Sequence, residues 1–94
     1  MIPGLAPTEN ARVMDADDIE GMVEAYVQAA RRAVEAGFDA VEIHGAHGYL
    51  INQFMSPLTN LREDAYGGSF ENRARLTLEL FREIKRVCGQ DFPI

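Results

Sequence analysis

Apolar residues recur at three- and four-residue spacing through Ile19, Val23, Tyr26, Ala30, Ala33 and Val34, while Glu20, Glu24, Gln28, Arg31 and Glu35 fall largely between them. This pattern predicts an amphipathic helix. Asp15, with Asp18 three residues on, suits its start, because carboxylates accept hydrogen bonds from free amides and complement the helix dipole. Gly37 suits its end, where the chain turns through a left-handed conformation. From Asp39 to His44 the period changes from about 3.6 to 2, with Val41 and Ile43 on one side and Ala40, Glu42 and His44 on the other. A short strand is expected there. Glu42 and His44 would be costly in an ordinary core without hydrogen bonds, so their face is expected to border a functional cavity.

Between Gly45 and Gly68 periodicity fades, interrupted by Gly48, Pro57 and the pair Gly67-Gly68, although Leu50 to Met55 suffices for a helical turn. Long connections of this kind are usually functional or disordered. Ser69 then suits the cap of a second long helix, with Glu71 in its first turn. Phe70, Ala74, Thr77, Leu78, Phe81, Ile84 and Cys88 are its expected buried stripe, opposed by a solvated face of Arg75, Glu79, Arg82, Glu83 and Arg86. Gly89 closes the helix, and Asp91-Phe92-Pro93-Ile94 has the character of the approach to another strand. Met1 to Met14, with Pro3, Gly4 and Pro7, is expected to be an irregular lead-in. Helix, strand, long loop, helix and strand start form the rhythm of a parallel α/β fold.

Composition narrows the partners. The 94 residues are 47% hydrophobic and 26% charged, ordinary for a globular chain. A formal net charge of −6 disfavours nucleic acid, whose phosphates need clustered Lys and Arg. Cys88 has no partner for an internal disulfide and is expected to be an inert packing thiol. No apolar run reaches the roughly 18 residues needed to span a bilayer, and a reducing, cytoplasmic location is the default expectation.

The candidate chemistry sits just past the expected strand, in Glu-Ile-His-Gly-Ala-His-Gly-Tyr-Leu, where His44, His47 and Tyr49 cluster. Parallel α/β folds meet their ligands at the C-terminal ends of strands. Imidazoles donate hydrogen bonds to an oxygen gaining negative charge, and a phenol can deliver a proton. The pattern by itself leaves this reading level with ordinary packing or surface roles. Two other readings stay open. Glu42, His44 and His47 have the ligand chemistry for zinc or iron, although their spacing is short and no Cys or further His completes the set. Gly67-Gly68 before a helix could cradle a phosphate through backbone amides, but two glycines without Lys fit a tight turn better.

The run from Gly37 to Leu50, followed by Gln53-Phe54, Ser56-Pro57, Asn60, Arg62, Asp64, Tyr66-Gly67-Gly68-Ser69 and Glu71-Asn72-Arg73, resembles the old yellow enzyme and NADH:flavin oxidoreductase family. The resemblance extends from about Ile19 to Ile94. It implies a piece of an FMN-dependent (β/α)8 TIM barrel: the third helix, fourth strand, fourth loop, fourth helix and the start of the fifth strand. On that basis residues 1–94 would be a quarter to a third of the barrel, lacking the main FMN-holding groups and inactive alone.

By the same resemblance, His44 and His47 bind the oxygen of an α,β-unsaturated carbonyl substrate, an enone or enoyl compound. Tyr49 protonates the α carbon, and FMN, reduced by NADH or NADPH, delivers hydride to the β carbon. Asn60, Arg62, Asp64, Glu71 and Arg73 are expected to hold the long loop rather than to react. The alternative from another class is a non-catalytic, truncated or self-associating α/β module that buries open sheet edges against copies of itself.

Overall fold

The computed structural model describes residues 11–94, so the expected irregularity around Pro3, Gly4 and Pro7 lies outside the described residues. Three helices form among the described residues: α1 Ala16–Glu35, α2 Leu50–Met55 and α3 Phe70–Cys88. Both ends of α1 fall where the sequence predicts. Asp15 Oδ1 accepts from the Asp18 amide at 2.8 Å, and Asp18 Oδ2 accepts from the Asp15 amide at 2.9 Å, a reciprocal capping box. The other end closes through Gly37, at φ 89°. The Gly37 amide donates to Val34 O and the Phe38 amide to Ala33 O, both at 3.0 Å, which satisfies carbonyls the helix leaves free.

Helix α3 is capped by Ser69, whose side chain accepts from the Asn72 amide, and it ends at Gly89 with φ 104°. Its buried face differs from the expected stripe. Leu76, Leu80 and Ile84 are buried, whereas Phe70 is 76% and Leu78 48% exposed. The true face is rotated by roughly a quarter turn from the predicted one. Apolar residues surround much of this helix, and contact with α1 selects the face. Nor is the charged side wholly solvated: Arg75 Nε donates to Ala65 O at 2.8 Å, and Glu79 accepts from the Tyr66 hydroxyl at 2.8 Å. On α1 the buried residues are Ile19, Val27 and Ala30, with Val34 exposed at the helix end.

The core has two parts. Ile19, Ile51, Phe54, Leu76 and Leu80 join all three helices, and Val27, Ala30 and Ile84 join α1 to α3 farther along, with Ile43, Cys88 and Ile94 against them. Cys88 thus sits half-buried in packing, as expected.

No strand forms among the described residues. The segment expected to be one keeps its period-two alternation, with Val41 and Ile43 half-buried and Ala40, Glu42 and His44 exposed. It makes one bond toward the second expected strand, from the Val41 amide to Pro93 O at 3.2 Å. A ladder needs successive bonds of this kind, and one rung does not make a sheet. The expected strand is therefore not formed within these residues, whose regular structure is helical.

The long loop is ordered by its own polar residues. Asn60, only 7% exposed, donates through Nδ2 to Phe54 O at 2.6 Å and Tyr66 O at 2.7 Å, and its Oδ1 accepts from the Arg62 amide at 3.0 Å. Arg62 grips the Asp64 carboxylate with two nitrogens, reaches Met14 O at 2.6 Å, and lies over the Phe54 ring. Arg73 ties Met55 O and Gly68 O to α3. Four of the five residues expected to hold this loop do so. Glu71, the fifth, is exposed.

Candidate functional site

The three rings singled out in the sequence converge. His44 lies in the middle: its ring centroid is 5.1 Å from that of His47, with the planes 65° apart, and 5.1 Å from that of Tyr49, at 52°. His44 ends the alternating segment on its exposed side, and the chain then reverses sharply. His47 and Gly48 have φ of 61° and 77°, and the Tyr49 amide donates back to Ala46 O at 3.3 Å. Left-handed geometry at both central positions matches a type I′ turn, an uncommon conformation for a residue with a side chain. The reversal brings the rings of both His47 and Tyr49 beside that of His44. Tyr49 then serves as the cap residue of α2, with its phenol free of any capping bond.

The rings are exposed, with Tyr49 at 50%. The cavity expected on this face does not close among the described residues. Grooves form elsewhere, one of about 830 Å³ between α1 and α3 and one of about 370 Å³ under residues 11–14 beside α2, and neither is lined by His44, His47 or Tyr49. A site at the end of a single segment is walled by its neighbours in a sheet, and the described residues supply none. What the cluster offers chemically is a set of neighbouring, exposed donors: two imidazoles and a phenolic hydroxyl.

The competing readings fare differently. Among the described residues no three His, Cys, Asp or Glu side chains come close enough to hold a metal ion, so Glu42 does not join the two imidazoles in a ligand set. The Gly67-Gly68 pair is a tight turn. The Gly67 amide donates to Asp64 O at 3.2 Å, and a Cβ added at Gly67 would stand 2.6 Å from Arg62 Cβ. Backbone contact, rather than an anion, accounts for that glycine.

Asn52 was not singled out in the sequence, and Gln53 entered only as part of the family motif, yet both hold the turn. Asn52 Oδ1 accepts from the Gly48 amide at 2.8 Å, and Gln53 Nε2 donates to Gly48 O at 2.8 Å, so both sides of the sharp turn are held from α2. Adjacent amide residues in the first turn after a glycine are the available signal. It is a faint one, because Asn and Gln occur on many surfaces.

Comparison with known proteins places the chain. The family model for the NADH:flavin oxidoreductase / NADH oxidase family matches residues 5–94. An NADH oxidase of Thermoanaerobacter brockii is 55% identical over 88% of the chain and 13% of its own length. An NADPH dehydrogenase of Clostridium acetobutylicum is 50% identical over 96% of the chain and 27% of its own. Among solved structures, morphinone reductase in complex with tetrahydroNAD superposes with a TM-score of 0.86 at 50% identity, covering 96% of the chain and 25% of that protein. Old Yellow Enzyme from Pichia gives 0.84 at 47% identity, over 87% and 22%. These neighbours are TIM barrels, and the chain spans about a quarter or less of the relatives it matches. On a family match across nearly all its residues and on identities near one half, the chain belongs to the NADH:flavin oxidoreductase / NADH oxidase family.

Proposed function

We propose that this chain is the oxygen-binding and proton-donating segment of an FMN-dependent enzyme that reduces activated C=C bonds of α,β-unsaturated carbonyl compounds in the cytoplasm. It would contribute the third helix, fourth strand, fourth loop, fourth helix and the start of the fifth strand of a (β/α)8 barrel. The observation that carries this reading is the clustering of the exposed His47 and Tyr49 rings around that of His44, each 5.1 Å from it. The donor set suits a polarised oxygen rather than a phosphate or a metal, and no residue of this chain is assigned to holding FMN. FMN, reduced by NADH or NADPH, would supply the hydride.

The chain's own residues account for the rest. N–H groups of His44 and His47 hydrogen-bond the substrate carbonyl oxygen and stabilise the negative charge it gains as the alkene is reduced; one preorganised donor of this kind is typically worth about a hundredfold or more in rate. The Tyr49 hydroxyl hands its proton to the α carbon, a general-acid role worth roughly a hundred- to ten-thousandfold. The test is turnover of cyclohexenone with NADPH by the FMN-loaded full-length protein. Absence of alkene reduction, with flavin reduction by NADPH intact, would remove the substrate class. The 94-residue chain alone is expected to be inactive, since its rings face solvent.

Among the described residues the backbone of 42–45 makes no backbone hydrogen bond, and apolar side chains face outward, with Leu58 89% and Leu61 82% exposed. These favour a second reading, self-association of a non-catalytic module. Light scattering showing a monodisperse monomer would dispose of it.

A further inference from the structure

We propose that Asn52 and Gln53 are positioning residues, which lock the His47–Gly48 turn and thereby hold the His47 and Tyr49 rings beside that of His44; this rests on the oxygen-binding reading above. The turn is poorly held by its own backbone. Its closing bond, Tyr49 amide to Ala46 O, is long at 3.3 Å, and His47 occupies left-handed space at φ 61°. A residue with a side chain stays in such a conformation only when its surroundings over-determine it. Here the surroundings are two side-chain amides. Asn52 holds the N–H of Gly48 and Gln53 holds its C=O, each at 2.8 Å.

The clamp is itself anchored. Asn52 and Gln53 lie in α2 between Ile51 and Phe54, both buried against α1 and α3. The core therefore reaches the turn through one short helix and two hydrogen bonds. Tyr49 follows Gly48 directly, so a rotation at that glycine would swing its ring away from His44, and the Asn52 bond to the Gly48 N–H also fixes the peptide that closes the left-handed His47. Donors to a reacting oxygen need placement within about half an ångström, which an unheld turn cannot supply.

The test pairs a near-isosteric variant, Asn52→Leu, with Asn52→Asp, which keeps the accepting oxygen. Hydrogen exchange of the Gly48 amide and ring-to-ring cross-relaxation between His44 and Tyr49, read by NMR in the chain, report the turn. Affinity for a simple phenol in the FMN-loaded full-length protein reports the oxygen site. Asn52→Leu is expected to speed Gly48 exchange about tenfold, the scale of one net hydrogen bond, to lose the cross-relaxation, and to weaken phenol about tenfold with helix content unchanged. Asn52→Asp should restore all three. Wild-type exchange and cross-relaxation in Asn52→Leu would overturn the proposal, as would Asn52→Asp failing as fully as Asn52→Leu. If the unaltered protein binds no phenol while Asn52→Leu still disorders the turn, the oxygen-binding reading fails and the clamp stands.

Discussion

The ring of His44 lies 5.1 Å from that of Tyr49, across a reversal that the chain makes through two left-handed residues. An imidazole and a phenol at that separation can reach neighbouring atoms of one small molecule, and the first prediction follows from this. Tyr49→Phe removes the proton and leaves the ring. In the full-length protein it should slow the alkene half-reaction by roughly a hundredfold or more while sparing flavin reduction by nicotinamide. Rapid-mixing measurements of each half-reaction check this, and equal slowing of both would take Tyr49 out of the donor role.

Removing an imidazole tests binding rather than proton transfer. His44→Ala should weaken phenol or enone binding by about tenfold, the scale of one hydrogen bond together with the packing of the central ring. A titration that finds wild-type affinity would make His44 a packed residue and no more.

Gly67 is buried against the Arg62 backbone. A methyl group there would stand 2.6 Å from Arg62 Cβ and closer still to Arg62 O. Because the obstacle is main chain, no side chain can swing aside. Gly67→Ala should cost about 1–3 kcal/mol, lowering the thermal midpoint by several degrees. An unchanged midpoint in a calorimetric scan would mean that the loop relaxes freely.

Asn60 satisfies three backbone groups at once. Asn60→Leu keeps the volume and abandons all three, two of them carbonyls fixed by the ends of the loop. A loss of about 2–3 kcal/mol is expected in urea unfolding, since each buried orphan costs about 1 kcal/mol or more. Full stability in the variant would show that water substitutes for the amide.

Acid should weaken the start of α1. The hydrogen bonds from Arg12, and then that from the Asp15 amide, hold the Asp18 carboxyl at about 2, below the usual value of 3.8. A carboxyl depressed in the folded state contributes stability above its unfolded pKa and loses it as pH falls through the folded one. Asp18's contribution is thus full above about pH 4 and fades toward pH 2. Asp64, held down by its hydrogen bonds to Arg62, shifts in the same direction. Asp18→Asn should flatten the stability profile in this window, followed by circular dichroism at fixed temperature. Identical acid profiles for the two proteins would contradict the capping role.

The sequence alone determined the local features of this protein. Asp15, Gly37, Ser69 and Gly89 bound the long helices because caps are read from residue type and spacing, while Leu50 to Met55 was legible only as enough chain for a helical turn. The cluster His44, His47 and Tyr49 was legible because three reactive side chains crowd one short run after a period-two segment. The family resemblance was legible in that run and the loop beyond it. Tertiary structure decided the rest. Which face of α3 is buried depends on where α1 lies, since a helix with apolar residues on several sides has no preferred face until a partner selects one. Whether Asp39 to His44 becomes a strand depends on neighbouring chain that can accept its hydrogen bonds, and a single rung to Pro93 is what the described residues provide. The left-handed turn at His47 and Gly48, and the amides of Asn52 and Gln53 that hold it, belong to three dimensions as well. Their bonds join backbone and side chains of specific geometry, which a one-dimensional pattern of polar and apolar residues does not encode.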